Sequence, residues 1–196
     1  MVSIREATQE GIRGFVAGQR VAVAATEHRG TLSLYQFDTI HDAVHQFVPL
    51  ESVPPYELAP RNGTALLDAV GFAVTGEGEK LAAMPEGSRP GKVVVLIATD
   101  GHENSSREWT RSRVKALITQ QREAYGWEFS FIGANQDAFA EAGGIGIATA
   151  SAATYTTATT DSAWRGVSKM SARYASGQAG SLAFTPEEQA EAAGDL

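Results

Sequence analysis

Apolar positions recur along this chain with a period that changes from segment to segment, and the changes outline its elements. Ile4, Gly11, Ile12, Phe15 and Val16 fall on one face at helical spacing, so the chain is predicted to open on an amphipathic helix. Ser3 and Glu6 have the spacing of a capping box at its start. Residues 21–25 suit either a continuation of that helix or a strand. In residues 31–38, Leu32, Leu34 and Gln36 alternate with Ser33, Tyr35 and Phe37, and residues 41–48 alternate again. Two alternating runs so close together predict an antiparallel hairpin. Pro54 and Pro55 then force a loop, since paired prolines continue neither regular structure.

A turn at residues 61–64 leads into a helix with a strong apolar face over residues 65–74. The run from Val93 to Ala98 is apolar at every position, as expected of a central parallel strand covered on both faces. A helix follows over residues 107–125, with Val114, Leu117 and Ile118 inward and Gly126 as a left-handed stop. Residues 127–133 read as a strand, 138–142 as a short helix, and 145–149 as a last strand or its approach. Residues 148–160 are almost entirely Ala, Ser and Thr, which composition alone leaves without an order. A helix over 161–176 ends at Gly177, and Thr185-Pro186-Glu187-Glu188 has the cap, first-turn proline and acidic start of a short terminal helix.

Strands that alternate with helices predict an α/β fold: a Rossmann-like, doubly wound, mostly parallel sheet with an antiparallel hairpin edge and helices on both faces. Such folds usually begin with a strand, and this chain begins with a helix. The expected organisation is one domain over residues 1–180 and a tail with a short helix over 181–196.

Composition narrows the function more than the fold. With 196 residues, 43% hydrophobic and 20% charged, the chain has ordinary globular proportions and can bury a substantial core. It has no apolar stretch of membrane-spanning length, and its first residues lack the basic flank and apolar core of a signal peptide. Cysteine is absent, which excludes disulfides and thiolate-bound metals. The expected location is therefore the cytoplasm. A net charge of −7 argues against general nucleic-acid binding. The glycosylation patterns at Asn62 and Asn104 are set aside for want of a secretory signal.

Asp100 ends the Val93 strand at the edge where open α/β sheets place their ligands. Thr64 stands in a glycine-containing turn before a helix. A carboxylate and a hydroxyl on separate loops suit Mg²⁺, which takes few protein oxygens and keeps several waters. The plainer reading makes both of them helix or turn caps. His102 and Glu103 beside Asp100 allow a metal-assisted hydrolase with His102 as base, although no nucleophile motif or phosphate loop accompanies them. His41 and His45 share a strand face and read as a solvated hairpin surface. Gly143-Gly144-Ile145-Gly146 lacks the full spacing of a dinucleotide turn. Trp109, Trp127 and Trp164 read as packing residues.

Asn62-Gly63-Thr64-Ala65-Leu66-Leu67-Asp68-Ala69 and Leu96-Ile97-Ala98-Thr99-Asp100-Gly101-His102-Glu103-Asn104-Ser105 resemble the second and third loops of a von Willebrand factor A (vWA) domain. The resemblance covers about residues 3–176. It implies a non-enzymatic protein-interaction module with a metal-ion-dependent adhesion site for Mg²⁺. Thr64 and Asp100 would be metal ligands, with Gly63, Gly101, Asn104 and Ser105 on the partner-binding rim. The partner would complete the metal shell with an acidic side chain.

The family's first central strand and the Asp-x-Ser-x-Ser loop after it have no counterpart here, and Ser3 lies too far along to supply one. Magnesium binding is accordingly expected to be weak or lost. A gap is also expected between the Leu32 and Val93 strands. A later start codon than the true one, direct pairing of the two strands, or a strand donated by another chain would each account for it. An assembly protein completed by such a strand, or a homo-oligomer, is thus the alternative to the metal-dependent module.

Overall fold

Helix α1, Ile4–Ala24, runs straight through residues 21–24, where sequence left helix and strand open. The computed structural model describes residues 4–26, 28–59, 63–134 and 137–195, so the Ser3 cap and part of the 61–64 turn lie outside the described residues. Two glycines explain how α1 packs. A β-carbon at Gly11 would overlap the Trp164 ring, and one at Gly18 would overlap the Ser168 hydroxyl, so both positions let α1 lie close against α5, Thr160–Ala175. Phe15 meets the Trp164 ring edge-on at 6.5 Å.

Strands β1, Thr31–Phe37, and β2, His41–Pro49, form the expected antiparallel hairpin, with irregular register around Leu32–Tyr35. Helix α2, Leu66–Ala83, continues well past residue 74. Gly76 and Gly78 disfavour that extension, but tertiary contacts outweigh them. Glu77 accepts hydrogen bonds from Tyr35 at 2.5 Å and Ser33 at 3.1 Å, and Leu81 is buried in the last turn.

Strand β3, Val94–Thr99, is followed by α3, Arg111–Tyr125, capped by the Thr110 side chain and stopped by Gly126 at φ 66°. The sequence placed the start of α3 at residue 107. Then come β4, Glu128–Ala134, α4, Ala138–Gly144, and β5, Ala152–Tyr155. The last strand is thus not at residues 145–149 but inside the Ala/Ser/Thr run. Small side chains suit it, because Ala152 and Ala153 are wholly buried on opposite faces. Helix α6, Pro186–Ala193, carries the full capping box of Thr185 and Glu188. Leu182, Phe184 and Ala192 are buried, and Arg173 grips Glu188 with two bonds of 2.6 and 2.7 Å, so this terminal segment packs onto α5.

The architecture is α/β: a parallel three-stranded sheet in the order β3-β4-β5, and the separate β1-β2 hairpin. Two apolar clusters sit on the faces of the parallel sheet. One joins Val95, Ile97, Phe129 and Phe131 to α2, α3 and α4; the other joins Val94, Leu96, Ala98 and Ile132 to α1 and α5. The expected break in the sheet is present among the described residues, since β1 pairs only with β2 and β3 only with β4. No helix of the described residues is long and apolar enough to cross a membrane.

Trp109 is the packing residue that sequence foresaw, and its seat is specific. A β-carbon at Gly71 of α2 would overlap its ring, and the Arg113 guanidinium lies 4.5 Å from the ring centre. Gly71→Ala is expected to destabilise the fold by about 1–3 kcal/mol through overpacking, read as a lower urea midpoint at unchanged slope.

Candidate metal and partner site

Three segments converge at the C-terminal ends of β1 and β3: the hairpin turn at Asp38–Ile40, the segment from Gly63 to Ala65, and the loop after Asp100. Backbone bonds link them in series. Ala65 N–H donates to the Asp38 carbonyl at 2.6 Å, and Asn104 N–H donates to the Thr64 carbonyl at 3.0 Å. The Asn104 side-chain oxygen accepts Thr64 N–H at 3.0 Å and the Ser105 hydroxyl at 2.5 Å. The predicted rim residues Asn104 and Ser105 therefore hold the Gly-Thr turn in place.

Glycine is needed at two points. Gly63 has φ 90°, and a β-carbon there would press on Thr39 and Ser105. At Gly101 a β-carbon would stand 2.7 Å from the Thr64 hydroxyl oxygen. That hydroxyl thus rests directly against the backbone next to Asp100, and the two predicted metal ligands come from loops in contact.

Two other carboxylates do the joining. Glu103 accepts N–H bonds from Leu67, Ser105 and Ser106, each at 2.9 Å, and the Ser106 hydroxyl at 2.7 Å. It caps the first turn of α2 from a different loop, at the positive end of the helix. Burial alone would raise its pKa, but these bonds hold the carboxyl below its ordinary value. Asp68, buried in α2, accepts N–H bonds from Arg107 at 2.7 Å, Glu108 at 2.9 Å and Trp109 at 2.7 Å. Its own N–H donates to the Ser106 hydroxyl at 3.1 Å. Burial opposes ionisation here too, and the three backbone donors override it. Helix α3 begins at Arg111 behind the Thr110 cap, and the N–H groups of residues 107–109, in the loop just before it, are turned toward Asp68.

Asp100 and His102 stand apart from this network as exposed side chains, while Thr64 is half-buried. Near Asp100 lies Tyr155, wholly buried at the end of β5. Burial raises its hydroxyl pKa, and the Asp100 carboxylate raises it further. The hairpin turn that abuts Gly63 exposes Ile40, and Phe72 on α2 is also exposed, with the His41 ring tilted against it at 4.0 Å. His41 is thus a packing residue of the hairpin.

As a donor set, Asp100 and Thr64 offer one carboxylate and one hydroxyl, both hard oxygens of the kind Mg²⁺ accepts. Among the described residues no group of three or more His, Asp or Glu side chains is arranged around a common metal position. Comparison with known proteins finds no matching family model, curated protein or solved structure.

Sequence reasoning missed Asp68, Ser106 and Tyr155. Asp68 did leave a signal, as a lone acid in the otherwise apolar run Leu66-Leu67-Asp68-Ala69-Val70. Tyr155 left none, because its strand could not be ordered from composition.

Proposed function

We propose that this chain is a non-enzymatic vWA-like interaction module, of the doubly wound kind, whose partner-binding face is the loop cluster around Thr64 and Asp100. One observation carries the reading. The loops commit Asp68 and Glu103 to holding the scaffold, and they leave Asp100 exposed beside a Thr64 hydroxyl that only a glycine neighbour permits. A site built to position one free carboxylate and one hydroxyl fits a divalent cation held loosely, with water in the remaining positions. Magnesium there would supply a positive charge for an acidic side chain of a partner protein. Ile40 and Phe72 would add apolar contact next to it.

A metal-assisted hydrolase fits less well. Glu103 has its oxygens occupied by four hydrogen bonds, so it is a poor candidate to accept a substrate proton.

Paramagnetic Mn²⁺ tests the cation site. It is expected to broaden the amide signals of Thr64 and Gly101 first, with Mg²⁺ competing and Asp100→Ala abolishing the effect while the remaining spectrum is unchanged. Uniform broadening, or broadening that survives Asp100→Ala, would sink the reading.

A further inference from the structure

The segment after α5 closes an edge of the parallel sheet without being a strand. The Ser151 carbonyl accepts the Ser130 hydroxyl of β4 at 2.9 Å, and the Ala152 carbonyl accepts the Gln189 side-chain amide at 2.8 Å. Backbone direction alternates along a strand, so Ala152 and Thr154 turn their N–H and C=O groups away from β4. No strand of the described residues pairs with β5 on that side. Residues 182–189 meet it instead. Gln189 also donates to the Thr149 carbonyl at 3.0 Å, Phe184 N–H donates to the Ala150 carbonyl at 2.9 Å, and the Ser151 hydroxyl donates to the Leu182 carbonyl. From Thr149 to Ala152, each residue is bonded to this segment.

The cover rests on a seat in α5. Gly166 is buried, and a β-carbon there would stand 3.3 Å from the Phe184 ring and 3.7 Å from the Glu188 β-carbon. Further along the helix, Arg173 clamps Glu188. Beyond that clamp the hold is light. Leu182, Phe184 and Ala192 are the only apolar side chains of residues 181–195 that are buried. A segment with few buried apolar contacts is among the first to open.

The edge beneath has no other protection. Strand edges are normally guarded by charged side chains or proline, and residues 148–160 contain neither. Ala152 and Ala153 are small on both faces, which lets a second backbone approach closely.

We infer that residues 181–195 are a releasable cover, and that the β5 edge beneath them, once released, pairs with the β5 edge of a second copy of this chain. The uncharged edge lets two copies meet without repulsion, and it offers a foreign chain no charge to select it by. An edge presents the same row of groups in every copy, so two β5 strands match antiparallel about a two-fold axis. Such pairing gives Ala152 a backbone partner where Gln189 now supplies a side chain. The inference does not depend on cation binding at Asp100.

Gly166→Leu in the full chain tests it, because the added side chain wedges against Phe184 and Glu188 and leaves β5 untouched. Exchange of the Phe184 amide is expected to speed up by about tenfold or more. The amides of Phe131 and Ile132 in β4 should stay unchanged, as the check on the fold. Light scattering is expected to show the variant passing to a dimer over a concentration range where the parent's mass is constant. Arg173→Met leaves Glu188 without its clamp and adds no bulk, and it is expected to give the same two results should the wedge disturb α5. Adding Thr154→Pro removes an outward donor without touching the β4–β5 ladder and is expected to restore the parent's mass. The inference is overturned if the Phe184 amide stays protected in both variants, or if it is freed and the mass does not change. A dimer that survives Thr154→Pro would place the contact elsewhere and overturn it equally.

Discussion

Asp68→Ala is expected to lower the stability of the fold by about 3–5 kcal/mol, the range for breaking a buried, hydrogen-bonded charge network. Three backbone N–H groups, from Arg107, Glu108 and Trp109, end on this one carboxylate. Hydrogen bonds to a charged acceptor contribute about 1.5–3 kcal/mol each, and the loop recovers part of that by turning to water when the acceptor is gone. The loop also seats Trp109 against Gly71, so the loss spreads to the α2–α3 contact. Urea unfolding should show a lower midpoint with nearly the same slope. Asp68→Asn keeps one acceptor oxygen and should lose roughly half as much. A cost below about 1 kcal/mol for the alanine variant would mean that the loop is held by something other than Asp68.

Glu103→Ala should cost somewhat less, about 2–4 kcal/mol, because the side chain is only partly buried and the freed Ser106 hydroxyl can reorient. Its diagnostic is the dependence on pH. In the folded protein both Glu103 and Asp68 are held below their ordinary values, which in the unfolded chain lie near pH 4. The unfolded state therefore takes up protons first as the solution is acidified. The stability these groups contribute is complete above their unfolded values and is lost as pH falls through the lower folded ones. The parent protein should thus lose stability as pH falls below about 4, and Glu103→Gln should flatten that decline while lowering stability near neutrality. An unchanged acid limb in Glu103→Gln and Asp68→Asn together would assign acid sensitivity elsewhere. Arg173 and Glu188 are the next place to look, since Glu188 is also held low against the cost of its burial by Arg173 and the Thr185 cap.

Much of the fold was legible because local chemistry repeats it. The hairpin, the apolar β3 run, the Gly126 stop and the Thr185 capping box all follow from period or from a residue with one favoured backbone role. The errors fall where distant partners decide. Helix α2 outruns its apolar face because β1 offers Glu77 two hydroxyls. Residues 107–109, the expected first turn of α3, instead form a loop whose N–H groups end on Asp68, distant in the chain. Strand β5 has a sequence without periodicity because it is buried on both faces by alanines, and only its place beside β4 orders it.

The candidate site divides the same way. Sequence by itself determined that Thr64 and Asp100 stand in turns before helices, with glycines beside them, because turn chemistry is local. It could not determine which neighbouring carboxylates are free. Glu103 looked as available as Asp100 three residues earlier, and only the tertiary structure showed Glu103 bonded to α2 and Asp100 left to solvent. The physical reason is that hydrogen-bond satisfaction depends on groups far apart in the chain. For the same reason the break between β1 and β3 was an expectation in the sequence, and only the tertiary structure showed β3 paired with β4 alone among the described residues.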